Sequence, residues 1–318
     1  MKILITGVAG FIGTNLCEYL LKKGHSVVGV DNFTLGRREN IIRFSKNKNF
    51  KFYEISITSP GFVNELSNKL KNETIDEVWH LAASSDILKG VMNPFYDHRD
   101  TFKTTWQIAE FCKVNNINKI VFSSTGAVYG NHNSKYYEDK TVPRPISSYG
   151  TFKLASENIL RTFQNDFLET VVVFRFSNVL GPYSTHGVIL DFIKKIKKNG
   201  SLQVLGNGYQ QKPYIHVSEL IRGMDVISKK INNKFEIFNL GPEDSGVKVR
   251  DIANLVVKKF DFPIEINYEN SSVGWVGDIP TYKISNSKAE KIGFKPKLTS
   301  KEVVSRAVDE IFKENLMK

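Results

Sequence analysis

Residues 2–13 read Lys2-Ile3-Leu4-Ile5-Thr6-Gly7-Val8-Ala9-Gly10-Phe11-Ile12-Gly13. A short apolar run breaks into glycines spaced G-x-x-G-x-x-G and continues as an amphipathic helix pattern over Phe11–Lys23. A side chain at Gly7, Gly10 or Gly13 would obstruct a tight turn or the close approach of backbone to a pyrophosphate, and the free N–H groups of a helix start attract phosphate. The next apolar run, Val27–Val30, ends on Asp31. A carboxylate at that strand end can take both hydroxyls of an adenosine ribose and repels a 2′-phosphate. Strand, loop, helix and acid together predict a dinucleotide site that takes NAD rather than NADP, although Arg37 and Arg38 lie nearby.

Working outward, further apolar runs at Lys51–Ile55, Val78–Leu81, Lys119–Ser123 and Thr170–Phe176 alternate with helical patterns at Phe62–Leu70, Phe102–Val114 and Tyr149–Phe163. That alternation predicts an α/β fold: a Rossmann-type, doubly wound parallel sheet. The second half is less regular, with helices expected near Val188–Lys198, Val249–Lys259 and Lys301–Phe312 and strands at Gln203–Leu205 and Glu236–Leu240. The expected organisation is a cofactor-binding unit over 1–177, completed by 214–240, and a smaller interleaved α/β substrate lobe from 178–213 and 241–318.

The chain has 318 residues, 41% hydrophobic and 24% charged, a balance suited to packed cores without disulfide staples. Cys17 and Cys112, the two cysteines, lack metal-ligand spacing and fall in helix patterns, so reduced packing residues and no metal site are expected. The net charge of +11 is spread along the chain. Its densest run, Lys194, Lys195, Lys197 and Lys198, reads as a solvated helix end rather than a nucleic-acid surface. The opening apolar run is too short for a signal peptide, and no run approaches ~18 apolar residues, so a cytoplasmic protein without membrane contact is expected.

Tyr149 and Lys153 are four apart at the start of a good helix, which places phenol and ammonium on one face. The ammonium and a positive nicotinamide ring would favour phenolate; moving a tyrosine from about 10 to about 7 takes about 4 kcal/mol. The phenolate is then a usable general base for a hydroxyl. Tyr19 with Lys23 and Tyr136 with Lys140 share the spacing, but the first lies too far along its helix and the second falls in a polar loop-like stretch. Ser123-Ser124-Thr125 ends a strand, where ligands of open α/β sheets bind. A hydroxyl there, above all that of Thr125, could hold the oxygen that Tyr149 deprotonates.

These segments, with Asn32, His80-Leu81-Ala82-Ala83 and Arg175-Phe176-Ser177-Asn178 followed by Gly181-Pro182, resemble the extended short-chain dehydrogenases, in particular the NAD-dependent epimerase/dehydratase family and its UDP-glucose 4-epimerase branch. The likeness spans nearly the whole chain. It implies a tightly held NAD and a nucleotide-sugar substrate. It implies a catalytic set of Tyr149, Lys153, Thr125 and Ser124. Cofactor contacts would come from Gly7, Gly10, Phe11, Ile12, Gly13, Asp31, Asn32, Gly36, Ser56, Ile57, Leu81, Ala82, Ala83, Ser123 and Phe176, besides Tyr149 and Lys153. Asn178, Val188, Leu205 and Lys212 would meet the nucleotide diphosphate, and Ser85, with Thr125 and Tyr149, the sugar. It also implies a homodimer through helices near Phe95–Val114 and Tyr149–Phe163.

The chain departs from the family in several places. Lys212-Pro213 stands where an Arg-Asp pair is frequent, and Val273 and Trp275 where an arginine precedes Gly-Asp. Leu205 lies near a usual stacking aromatic, and Thr101 replaces a usual asparagine. Gly126 and Ala127 stand where the 4,6-dehydratases carry an acidic pair, which argues against dehydration. A nucleotide-sugar 4-epimerase is the leading expectation. A nucleotide-sugar 4-dehydrogenase on UDP- or GDP-linked hexoses or heptoses, and a dinucleotide-sensing protein without catalysis, stay open.

Overall fold

In the computed structural model, which describes residues 1–132 and 134–316, seven parallel strands form one sheet. In chain order they are β1 (Lys2–Thr6), β2 (Ser26–Asp31), β3 (Phe50–Glu54), β4 (Glu77–His80), β5 (Lys119–Thr125) and β6 (Thr170–Phe176), followed by a seventh, Phe235–Leu240. Met317 and Lys318, the end of the expected second lobe, lie outside the described residues, as does Asn133 in the first. The spatial order is Phe235–Leu240, β6, β5, β4, β1, β2, β3. The chain winds outward in both directions from β1, so the strand order reverses between β1 and β4 and leaves a crevice at their carboxyl ends.

The central strands are covered on both faces, which is why they read as unbroken apolar runs. In β6 every residue from Thr170 to Arg175 is buried. Each fully buried valine or phenylalanine there contributes about 1.5–3 kcal/mol. One face packs under helix Phe11–Lys22 and helix Val217–Ser228, the other under Phe62–Lys69, Thr104–Val114 and Ser148–Asp166. A separate apolar cluster holds helices Val188–Asn199, Val249–Val257 and Ser300–Leu316 around Leu202–Val204 and forms the core of the smaller lobe. Asn178–Leu180 pairs in parallel with Tyr214–His216 between the two.

Three local expectations need correction. Helix Val217–Ser228 was not expected; Gly223 in its middle reads as a helix breaker, yet a Cβ there would stand 2.7 Å from the Phe294 ring, so packing demands it. The expected Phe102–Val114 helix begins as a π-helical turn at His98–Lys103, with Thr104–Val114 regular. Tyr136 is not in a free loop. It is fully buried, bridges to Ile284 and stacks on Tyr282 at 5.5 Å between ring centres. Both cysteines are buried and free. No helix among the described residues is long and apolar enough to cross a membrane, and no metal-binding group of His, Cys, Asp and Glu occurs among them.

Candidate active site

The crevice at the strand ends opens into one cavity of about 890 Å³, large enough for a dinucleotide and a second ligand. All the residues expected in the site line it, from Gly7, Gly10, Phe11, Ile12 and Gly13 at one end to Val188, Leu205 and Lys212 at the other.

At the first end the backbone makes the shape. Gly7 has φ +70°, and a Cβ on it would stand 2.9 Å from the Ala82 nitrogen. A Cβ on Gly13 would stand 2.1 Å from the Gly7 carbonyl oxygen. No side chain caps the helix at Gly10, so its first N–H groups are left for a ligand. Asp31 is buried; Oδ2 accepts the Ala9 N–H at 2.9 Å and Oδ1 the Phe33 N–H at 2.8 Å. Burial pushes its pKa up, against those N–H donors. Gly36 lies so close that a Cβ would meet Asp31 Oδ1 at 2.9 Å. Asn32 donates to Ser56 Oγ at 3.2 Å, joining the ends of β2 and β3 beside Ile57. Arg38 is held in a two-pronged pair by Glu54 at 2.8 and 2.6 Å and stacks on Phe33. The uncapped helix start and the glycine cradle fit a pyrophosphate, and the carboxylate at the strand end fits a ribose diol.

The centre of the cavity holds the reactive groups. β5 delivers Ser123, Ser124 and Thr125, and helix Ser148–Asp166 delivers Tyr149 and Lys153. That helix is capped by Ser147, whose hydroxyl accepts the Gly150 N–H. Below it, Glu157 and Arg175 form a buried ion pair, 2.5 Å at its shortest, with Arg175 over the Tyr129 ring. This pair ties the helix to β6 and so fixes the turn that carries Lys153. Ser124 donates to Glu157, which commits its hydroxyl to that pair; only Thr125 presents a hydroxyl toward Tyr149.

The expected mutual support of phenol and ammonium is not what the structure shows. The Lys153 ammonium donates to the Ser123 carbonyl at 2.6 Å and lies 4.6 Å from the Phe122 ring centre. Burial pulls its pKa down to about 7, with Glu157 opposing. Tyr149 still meets solvent across the cavity, but the protein packed around it pushes its pKa up, as does Asp97; a hydrogen bond with Thr125 works the other way. Desolvation penalises both charged forms. One side of this centre is closed by Leu81, Ala82, Ala83 and Phe176. His80 beneath it is fully buried between Thr6 and Thr105, with its pKa lowered to about 3, and stays neutral.

The far end is built from side chains brought together from distant segments. Lys212 is paired with Asp278 and lies 4.9 Å from the Trp275 ring centre. Asn178 donates to the Tyr282 hydroxyl at 3.1 Å. Val188 opens a helix with no side-chain cap. Ser85 and Leu205 complete the wall. Asp97, Asp278, Tyr282 and His186 were not singled out from the sequence, because no spacing links them to the motifs. For Asp278 and Tyr282 the Gly-Asp-Ile-Pro stretch at residues 277–280 was the available signal.

Residues 3–241 match the NAD dependent epimerase/dehydratase family. The chain is 30% identical over 312 residues, 96% of this chain and 97% of the relative, to a putative UDP-glucose 4-epimerase of Methanocaldococcus jannaschii. Its fold superposes with a TM-score of 0.86 and 28% identity on the UDP-glucuronic acid 4-epimerase of Bacillus cereus, solved with UDP-glucuronic acid and NAD, covering 99% of this chain and 100% of the other. The UDP-glucose 4-epimerase of Thermotoga maritima, solved with UDP-glucose, gives 0.84 at 28% identity, covering 99% and 100%.

Proposed function

The chain belongs to the NAD-dependent epimerase/dehydratase family, and from that premise we propose that it is a nucleotide-sugar 4-epimerase that holds NAD and acts on a UDP-hexose-like substrate, with Tyr149 as base. The observation that carries this reading is one cavity joining the glycine cradle and Asp31 to Tyr149, Thr125 and Lys153. NAD, when bound, would supply the site that accepts a hydride from sugar C4 and gives it back. Tyr149 removes the 4-hydroxyl proton as the hydride leaves and gives it back after the ketone has turned over. Thr125 holds that oxygen. Lys153, anchored on the Ser123 carbonyl, is placed to bind a ribose of the cofactor. Asn178, Val188 and Lys212 meet the diphosphate, and the open chamber gives the ketone room to rotate. Gly126 and Ala127 after Thr125 supply no acid for eliminating water. We also propose a homodimer across the face that exposes Phe95 and Trp106; light scattering should give twice the chain mass of 36.1 kDa.

The test is a panel of UDP- and GDP-linked hexoses and heptoses incubated with the purified protein without added NAD. The expected product has unchanged mass and a new proton spectrum. A product lighter by two hydrogens, formed only in proportion to protein, replaces the epimerase reading by a 4-dehydrogenase. No product from a protein that still carries NAD leaves the sensing reading.

A further inference from the structure

Residues 181–187 form a strap that runs from Asn178–Leu180 to helix Val188–Asn199 along one rim of the cavity. Both its ends are glycines at positive φ, Gly181 at +150° and Gly187 at +115°. A Cβ on Gly187 would meet nothing within 4 Å, so that residue is glycine for its backbone alone. Between them Tyr183 holds φ +66°, a conformation that a bulky residue keeps only where its surroundings fix it.

Three elements fix it. The Tyr183 N–H donates to both carboxylate oxygens of Glu314, at 3.1 and 3.0 Å. Glu310, one turn earlier on the same helix Ser300–Leu316, lies 2.9 Å from the ring of His216, beside which Gly181 sits. The Pro182 carbonyl accepts from Asn15 Nδ2 at 3.0 Å, and the same amide donates to the Phe11 carbonyl at 2.9 Å. Phe11 and Asn15 belong to the helix whose uncapped start is the phosphate cradle. The third holder is Arg43, at the end of the short helix Arg38–Ile42 that follows Leu35 and Gly36 of the cavity wall. Its Nη2 donates to the Tyr183 hydroxyl at 2.5 Å, and its guanidinium carbon lies 4.0 Å from the centre of that ring.

The Asn15 and Glu314 bonds end on the backbone of the strap. The Arg43 contact joins two side chains, with Arg43 on the surface, so it can part and re-form with no main-chain bond lost. Neither Arg43 nor Tyr183 lines the cavity, whereas Thr185, His186, Gly187 and Val188 further along the strap do. We propose that the strap is a gate at the cofactor end of the cavity, hinged at Gly181 and Gly187 and latched by Arg43 on Tyr183, and that the latch sets how fast NAD enters and leaves. The inference rests on NAD seating in the glycine cradle, and on nothing about the reaction it serves. A latch that makes the same contact whether the cavity is empty or filled favours neither state. It therefore slows entry and release alike and leaves the Kd where it was.

The experiment measures both. Protein loaded with radiolabelled NAD is chased with excess unlabelled NAD to give the release rate; calorimetry on the stripped protein gives the Kd, and the entry rate follows from the two. Arg43→Met loses the stacked cation and its hydrogen bond, so NAD should leave about tenfold faster. Its Kd should stay within about twofold of the parent. Tyr183→Phe keeps the ring and loses the hydroxyl, and should fall between the two. Release at the parent rate from Arg43→Met overturns the proposal. Faster release matched by an equal weakening of the Kd also overturns it, since the pair would then be part of the binding surface and not a latch. Tyr183→Gly removes the other half of the contact and relieves the backbone at that residue; it repeats the test if Arg43→Met does not fold. A parent protein that takes up no NAD breaks the cofactor reading and the gate with it, whereas unchanged rates break the gate alone.

Discussion

The two ends of the cavity are built on different principles. The cofactor end is made of backbone: Gly7 at positive φ against Ala82, Gly13 against the Gly7 carbonyl, and an uncapped helix start, with one carboxylate, Asp31, held by two N–H groups. The substrate end is made of side chains: Lys212 shared between Asp278 and the Trp275 ring, and Gln210 Oε1 and Trp275 Nε1 buried without partners. A shape made by backbone tolerates almost no substitution, because the atoms in the way cannot rotate aside. A balance of side-chain charges can be varied residue by residue, which is how specificity changes on a constant fold. Of the departures read in the sequence, Leu205, Lys212 and Trp275 line the substrate end, while Gly126 and Ala127 lie at the centre and Thr101 does not line the cavity.

The comparison breaks most visibly if the cofactor end tolerates a methyl group. Gly13→Ala would place a Cβ 2.1 Å from a carbonyl oxygen that belongs to the cradle itself. We expect loss of retained NAD on purification and a weakening of at least about a hundredfold by calorimetry, with a lowered Tm. A Gly13→Ala protein that binds NAD as the parent does would show that the loop is not a rigid mould.

The same contrast decides what could be read in the sequence. β1, β2 and β6 announced themselves because strands covered on both faces are apolar throughout, and the glycine loop because its spacing is dictated by one ligand. Helix Val217–Ser228 did not, although Leu220, Ile221, Met224 and Ile227 have the right periodicity. It follows Tyr214–His216 with no intervening loop, and Gly223 interrupts it for the sake of a ring that arrives from residue 294. At the site, Thr125, Tyr149 and Lys153 were legible because strand ends and i, i+4 spacing are local. Asp278 and Tyr282 were not, since only tertiary packing brings them to the cavity. Spacing showed Lys153 beside Tyr149, but not the Ser123 carbonyl that takes its ammonium.

A smaller effect is expected at the substrate end. Lys212→Met removes the cation proposed to meet the diphosphate and leaves the buried Asp278 carboxylate without its partner. The KM for the nucleotide sugar should rise about tenfold while NAD binding is unchanged, the loss of one charge-assisted contact. Lys212→Met with Asp278→Asn separates the two causes: the stranded charge is gone, so whatever rise in KM remains is the lost contact. Equal losses of NAD and substrate affinity would mean that the two ends are one mechanical unit.

The smallest effect sharpens the comparison, because it lies where a side chain tunes the backbone end. Arg38 pairs with Glu54, the register partner of Asp31, the carboxylate expected to select the ribose, and a free guanidinium there would welcome a 2′-phosphate. It is not free: Glu54 takes both prongs of its guanidinium, and Phe33 lies under it. In Glu54→Gln the guanidinium is released while Asp31, fixed by the Ala9 and Phe33 N–H groups, still repels the phosphate. Affinity for NADP should therefore rise, but within about fivefold, since solvent screens an exposed pair and leaves it little worth. Affinity for NAD should not move, and competition of the two cofactors on one sample would measure both. A large gain for NADP would mean that Glu54, and not the Asp31 carboxylate at the end of β2, decides which cofactor this cradle accepts.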